Sequence, residues 1–149
     1  MKKEIKFKNK AETLIISGFP GIGKSFLTKE FGNSVSDSDS SKFDKKDFPK
    51  NYIKHIKDLI GKKKIILVSS HKEVLDELEK LDTNFIIISP ERELKEEYIQ
   101  RYKDRGSSEE FVKLLTEKWN NFIDDVEKPR KNAWKIKLKK GEFLKDYFN

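Results

Sequence analysis

Eight residues, Gly18-Phe19-Pro20-Gly21-Ile22-Gly23-Lys24-Ser25, limit what this chain can fold into more than any other stretch. Glycine weakens strands and helices alike, and proline lacks the N–H that both need, so the segment must turn. Before it, Thr13 to Ser17 is an apolar run and reads as a strand. After it, Lys24 to Phe31 carries a helical pattern stopped by Gly32-Asn33. A strand that enters a helix through a tight turn is the first half of a βαβ unit, whose next strand lies parallel to the first.

The rest of the chain repeats that alternation. Ser34 to Asp37 is a short extended piece, and Asn51 to Ile60 places Ile53, Ile56 and Ile60 at helical spacing before Gly61. Lys64 to Val68 is continuously apolar after its lysine, as a central strand buried on both faces requires. Ser70 and Glu73 have capping-box spacing for a helix to Leu81. Phe85 to Ile88 reads as the next buried strand, with Ser89 and Pro90 as cap and first residue of a helix. Ser107 and Glu110 give a second capping box, for a helix to Glu127. Trp134 to Leu138 alternates lysines with Ile136 and Leu138, the pattern of an edge strand with one wet face. Glu142 to Phe148 reads as a short docked helix, and Trp119, Phe122, Trp134 and Phe143 as core. With no linker or repeat, the expectation is one domain over residues 1–149: a three-layer α/β/α fold around a mostly parallel sheet of roughly five strands.

Composition narrows the classes. Eleven Phe and two Trp argue for a packed core despite 40% charged residues. The absence of cysteine excludes disulfides and thiolate metal sites and suits a reducing, cytoplasmic setting. The basic start MKKEIKFKNK lacks the apolar run of a signal peptide, and no segment has the length of a membrane span. The net charge of +7 is carried almost wholly by lysine, which fits a solvated surface better than a nucleic-acid face.

The opening eight residues also carry chemistry. They satisfy G-x-x-x-x-G-K-[ST], a pattern in which glycines admit positive φ and let backbone N–H groups approach phosphates at a helix N-terminus. Gly18, Phe19, Pro20, Gly21, Ile22, Gly23, Lys24, Ser25 and Phe26 are therefore candidate nucleotide-binding positions. Lys24 would reach the β- and γ-phosphates of ATP, and the Ser25 hydroxyl would ligate Mg²⁺. Four fixed positions coincide by accident in roughly one chain in two hundred of this length, and the flanking strand and helix lower that further.

Other motifs sort the possibilities. The guanine-reading Asn-Lys-x-Asp element is absent, since Asn9-Lys10 precedes the loop and lacks the Asp. The strand through Val68 ends in Ser69-Ser70, where many ATPases place a metal-holding Asp. Asp37 and Asp39, two apart in an extended segment, share a face and are the candidate carboxylates. One would help hold Mg²⁺, with Asp37 the metal candidate, and the other would orient or deprotonate an acceptor hydroxyl; the alternative is turn and cap formation. Arg101 and Arg105 lie at i and i+4, so a helix puts both on one face, suited to forked phosphate contact. The alternative pairs them with Glu96, Glu97 and Asp104 on an exposed helix. Arg92 and Arg130 have weaker cases. His71 follows the serine-ended strand and either faces the cleft or stands exposed. Phe48 to His55 either lines an acceptor pocket or packs the core beneath a surface histidine.

Taken together, Gly-x-Pro-Gly-x-Gly-Lys-Ser followed by Asp-x-Asp resembles the small P-loop kinases: nucleoside and nucleotide kinases, shikimate-type kinases and polynucleotide 5′-kinases. The run GFPGIGKS…SDSDSSKF…FPKNYIKHI…VSSH…ERELKEEYIQRYKDRG is similar to small phage-encoded proteins labelled nucleoside or adenylate kinase-like. That resemblance implies a P-loop NTPase fold with a helical lid over about residues 91–110, hinged at Gly106-Ser107-Ser108. It implies Mg·ATP as donor, a nucleoside, nucleotide or nucleic-acid end as acceptor, and a cytoplasmic location, in the host if phage-encoded. Lys24, Asp37, Asp39, Arg101 and Arg105 would be its catalytic set. The Asp-Gly-Phe-Pro-Arg stretch of adenylate kinase is missing, which leaves the acceptor open. A nucleotide-binding regulator is the alternative outside the enzymes.

Overall fold

The structure, a computed structural model, describes residues 13–81 and 83–148; the basic start and the Asn9-Lys10 pair lie outside them. Five strands form one all-parallel sheet: β1 (Leu14–Gly18), β2 (Val35–Asp37), β3 (Ile65–Val68), β4 (Phe85–Pro90) and β5 (Ala133–Leu138), in the order β2-β3-β1-β4-β5. Five α-helices occur among the described residues: α1 (Ser25–Phe31), α2 (Lys50–Leu59), α3 (Lys72–Lys80), α4 (Lys95–Asp104) and α5 (Glu109–Glu127). None is long and apolar enough to cross a membrane.

The sheet is parallel because its apolar runs have no wet face to offer. All four residues of β3 are buried, as are Ile15 and Ile16 on one side of it and Ile86 to Ile88 beyond. Register sets like against like, with Ile16 opposite both Leu67 and Ile86. Parallel neighbours need crossovers, and right-handed crossovers decide where the helices lie. The step from β1 to β2 runs one way along the sheet, whereas the steps from β2 onward run the other. So α1 falls on one face and the remaining helices on the opposite face. The contacts agree: α3 touches α2 and α5, α4 touches α5, and α1 touches the final 3₁₀ turn, Leu144–Tyr147. The reversal happens at β1, so loops depart to opposite faces around its carboxyl end. Ligands of open α/β sheets bind in such a crevice.

Several local expectations are corrected. Ser89 and Pro90 do not begin a helix; both are buried strand residues opposite Lys137 and Leu138. Pro90 is the last residue of its strand, where its missing N–H costs the ladder least. The residue capping α3 is His71, without a side-chain bond, so the Ser70–Glu73 box does not form. The cap of α5 is Ser108, one residue later than expected, accepting from the Phe111 N–H. β5 is an edge strand whose lysine face is only half covered: Lys135 and Lys137 are half-buried, binding the Glu127 carbonyl and carboxylate at the end of α5, while Lys139 is exposed. Trp134 is 38% exposed, because it stands at the outer edge of the sheet, while Trp119 is buried. The C-terminal segment is docked through Leu144 and Tyr147, in a 3₁₀ turn.

The opposite end of the molecule is tied by charge. The Arg130 side chain is fully buried and donates to Asp76 Oδ1 at 2.7 Å, while Lys72 donates to Oδ2 at 2.7 Å. Hydrogen bonds from Lys72 and Arg130 hold the Asp76 carboxyl down to about 2. Asp76→Asn is expected to cost about 2 kcal/mol at neutral pH, allowing for solvent screening of a partly exposed carboxylate, because it strips the counter-charge from a buried guanidinium. A depressed carboxyl stabilises only while ionised, so the deficit should shrink as pH falls from about 4 through 2. Urea unfolding of both chains at pH 7 and pH 3 measures it.

Candidate functional site

The loop leaving β1 is fixed by where its carbonyl oxygens go. The Phe19 N–H first pins the chain to β4, donating to the Ile88 carbonyl at 2.9 Å. The Gly18 carbonyl then accepts from Lys24 Nζ at 3.1 Å, and the Pro20 carbonyl from the Tyr102 hydroxyl at 2.7 Å. The Gly21 carbonyl accepts from Arg101 Nη1 at 2.8 Å, and the Ile22 carbonyl from the Leu144 N–H at 2.8 Å. In a planar trans peptide the C=O and the following N–H point opposite ways. Drawing the carbonyls of residues 20 to 22 outward therefore turns the N–H groups of Gly21, Ile22 and Gly23 to the other side. Among the described residues, no N–H from Gly21 to Ser25 donates to a protein acceptor. A row of free N–H groups in a concave turn is an anion-binding nest.

This path requires glycine at two points. Gly21 and Gly23 have φ of 91° and 93°. A Cβ on Gly21 would stand 3.0 Å from the Tyr102 ring and 3.1 Å from the Tyr98 ring; one on Gly23 would stand 3.3 Å from Phe143. Phe19 and Ile22, by contrast, are buried packing residues, Phe19 edge-on to Trp119 at 5.3 Å. Phe26 packs against Phe148. None of Phe19, Ile22 and Phe26 lines the cleft beside Gly21 and Gly23, whereas Ser25 does and is exposed.

A cleft of about 480 Å³ opens above the nest, walled by Gly21, Gly23, Lys24, Ser25, Arg101 and Arg105. Burial holds the Lys24 ammonium below its usual pKa, partly offset by the charges of Asp37 and Asp39, with Arg105 adding to the depression. The two arginines share the cleft, as their spacing predicts, but their settings differ. Arg101 is clamped: its guanidinium lies 4.2 Å from the Tyr98 ring centre and 4.1 Å from that of Phe143, and Glu97 lies 3.6 Å away. Arg105 is exposed, with Nε on the Ser107 hydroxyl at 3.1 Å and its guanidinium 5.1 Å from the Tyr102 ring centre, and its Nη groups make no hydrogen bond among the described residues.

Asp37 ends β2, exposed, while Asp39 caps the 3₁₀ turn Ser40–Lys42. Asp39 Oδ1 accepts from the Ser41 N–H at 2.9 Å and the Ser41 hydroxyl at 2.7 Å, which holds its carboxyl below the usual range. Oδ2 has no partner among the described residues. Between them, buried Ser38 is secured through every polar atom. Its N–H donates to the Leu67 carbonyl at 3.0 Å, its carbonyl accepts from the Tyr52 hydroxyl, and its Oγ meets His55 Nε2 at 3.0 Å. The Tyr52 hydroxyl also accepts from the Ser69 N–H at 3.2 Å, and burial pushes it up to about 12, so it stays neutral. The Phe48–His55 segment thus orients the acidic strand end; His55 is a half-buried partner of Ser38 rather than a free surface residue.

The remaining candidates separate cleanly. His71 is exposed at the start of α3 and also lines a smaller cavity with Lys24, Arg92 bridges Asp124 and Glu127, and Arg130 is buried with Asp76. No group of three or more His, Cys, Asp or Glu able to hold a metal occurs among the described residues. That donor set still fits Mg²⁺, which needs only one or two protein oxygens when phosphates and waters complete its shell. Ser25 and Asp37 are the residues that would supply them. The sequence reading missed Tyr98, Tyr102, Phe143 and Leu144, whose aromatic pair spacing on α4 was the only local signal. No protein-family model matches this chain, and no curated protein or solved structure matches it.

Two glycine substitutions isolate the loop's constraint. Gly21→Ala should cost about 2–3 kcal/mol, combining positive-φ strain with the tyrosine clash. Gly61→Ala, at φ 86° with nothing within 4 Å of its added Cβ, carries similar φ strain without the clash and should cost about 1 kcal/mol. Denaturant midpoints of the two variants compare them directly.

Proposed function

We propose that this chain is a Mg·ATP-dependent phosphotransferase of the P-loop type, resembling a nucleoside or nucleoside monophosphate kinase. The observation that carries the reading is the row of N–H groups from Gly21 to Ser25 without protein acceptors, facing a cleft that also holds Lys24, Ser25, Arg101 and Arg105. The position of that loop at the sheet's switch point supports it.

In this mechanism the nest binds the donor phosphates, and Lys24, already among carboxylates, neutralises their charge. Bound Mg·ATP supplies the transferable phosphoryl group and a cation beside it. Ser25 and Asp37 would hold that cation. Asp39, with one oxygen spent on Ser41, keeps the other for orienting an acceptor hydroxyl. A weakly basic carboxylate suffices, since a loose transition state asks mainly for positioning and charge. Arg101 is a positioning residue, because it holds the Gly21 carbonyl outward. Arg105 has its Nη groups available for the equatorial oxygens that gain charge.

A second reading, a nucleotide-binding regulator, is favoured by one observation: β3 leads into Ser69-Ser70 and brings no carboxylate to the cleft. Transfer of labelled γ-phosphate from ATP to deoxynucleosides, mononucleotides and 5′-hydroxyl oligonucleotides separates the two. Lys24→Ala and Arg105→Ala should each lower transfer by about 10³-fold or more. Asp37→Asn with Asp39→Asn should abolish it without unfolding the chain. Tight ATP binding with no labelled acceptor would select the regulator, and full transfer by Lys24→Ala would refute the role given to Lys24 and its loop.

A further inference from the structure

The net charge is not spread evenly along the chain. Residues 42–64 carry nine lysines, three aspartates and no arginine, so +6 of the chain's net +7 lies in 23 residues. Two of those lysines are engaged within the fold: Lys63 Nζ donates to the Asn33 carbonyl at 2.6 Å, and Lys64 lies over the Phe31 ring. The other seven, from Lys42 to Lys62, are exposed, and none pairs through its side chain among the described residues. Lysines elsewhere do find carboxylates, as Lys72 finds Asp76 at 2.7 Å and Lys137 finds Glu127 at 2.6 Å. Asp58 follows Lys54 at the same i,i+4 spacing as that first pair, yet the two form no ion pair.

The helix α2 sets this charge on one side. Lys50, Lys54 and Lys57 lie along about 10 Å of its length, away from the buried Tyr52, Ile53 and Ile56. It crosses from β2, an outer strand of the sheet, to β3 and packs against α3, which leaves its outer side open. At its carboxyl end Ile60 is 37% exposed, three residues after Lys57 and two before Lys62. An exposed apolar side chain thus stands among unpaired cations.

We infer that this face seats the protein on an anionic lipid surface, with the lysines among the headgroup phosphates and Ile60 dipping below them. A lysine beside such a surface contributes about fivefold to binding. Seven exposed lysines against three exposed aspartates therefore favour an anionic over a neutral surface by several hundredfold, on the order of fivefold for each net charge. This attraction follows the field and needs no fixed geometry, which suits flexible ammonium groups. Nucleic-acid binders add forked arginines or a groove that tracks the strand. The outer side of α2 has no arginine, and the cavity beside Phe43 and Phe48 reaches only Lys45 of the seven. The seat is independent of the phosphotransferase reading, since neither Lys24 nor its loop takes part.

Co-sedimentation of the full chain with lipid vesicles tests the seat. Phosphatidylcholine vesicles containing a third phosphatidylglycerol should pellet the protein, and phosphatidylcholine alone should not. Binding should fall at least about tenfold between about 0.05 and 0.5 M salt, where the field reaches only a few ångströms. Lys50→Gln, Lys54→Gln and Lys57→Gln together should weaken it about 100-fold. Glutamine matches lysine in helix propensity, so α2 stays folded. Lys103→Gln, Lys113→Gln and Lys118→Gln remove the same charge from exposed positions on α4 and α5 and should change binding less than about threefold. Ile60→Ser should weaken it severalfold at unchanged charge, and an unchanged affinity would refute the dipping side chain. Equal loss in the two triple variants, or equal binding to the two kinds of vesicle, overturns the assignment. So does displacement from the vesicles by a single-stranded oligonucleotide at equal phosphate concentration, which would give the face to nucleic acid.

Discussion

Capture of the loop carbonyls between β1 and α1 is the interaction on which the rest of the site depends. A peptide cannot turn one of its dipoles without turning the other. Tyr102, Arg101 and the Leu144 N–H each take a carbonyl, and in doing so they aim the intervening amides into the cleft. The free N–H groups are therefore a product of tertiary structure, held by α4 on one side and the chain after β5 on the other. This explains the aromatic crowding around them. Tyr98, Tyr102 and Phe143 fill the space that side chains at positions 21 and 23 would otherwise occupy.

Charge is organised around the same point. Desolvation alone would discourage a cation at Lys24, and the carboxylates of Asp37 and Asp39 offset part of that penalty. Those carboxylates are held in place indirectly, through a buried serine bound by Tyr52 and His55. The acidic strand end is thus oriented in part by the Tyr52 hydroxyl, which brings no charge into the cleft. A neutral tyrosine suits that role, since burial keeps its hydroxyl protonated throughout the physiological range.

Much of the architecture was legible because strong periodicity leaves little choice. Ile65 to Val68 has no polar face, so a buried parallel strand was the one reading available. The glycine turn announced its position for the same reason. Pro90 misled because Ser-Pro is a helix-start signal, and only pairing with the distant β5 extends the strand through it. Trp134 shares parity with Ile136, yet lies where the sheet ends, which local sequence does not record. In the site, i,i+4 spacing put Arg101 and Arg105 on one face but did not distinguish them. The difference comes from Phe143 and the Gly21 carbonyl, both far away in sequence. Asp39 sits in a Ser-Asp-Ser-Asp-Ser-Ser run that supports both a cap and a site, and the cap accounts for one of its oxygens.

The bond from the Leu144 N–H to the Ile22 carbonyl bears on how the molecule comes into being. The loop is made before one of the donors that shape it and before the aromatic ring that clamps Arg101, both of which lie far downstream of it. Until Phe143 and Leu144 have emerged from the ribosome, α1 and the sheet can assemble while the turn before α1 lacks that support. Such late, long-range closure is slow compared with local helix formation. The turn thus settles only after the chain through Leu144 has been made, so its free N–H groups are aimed later than the strands beneath them can pair.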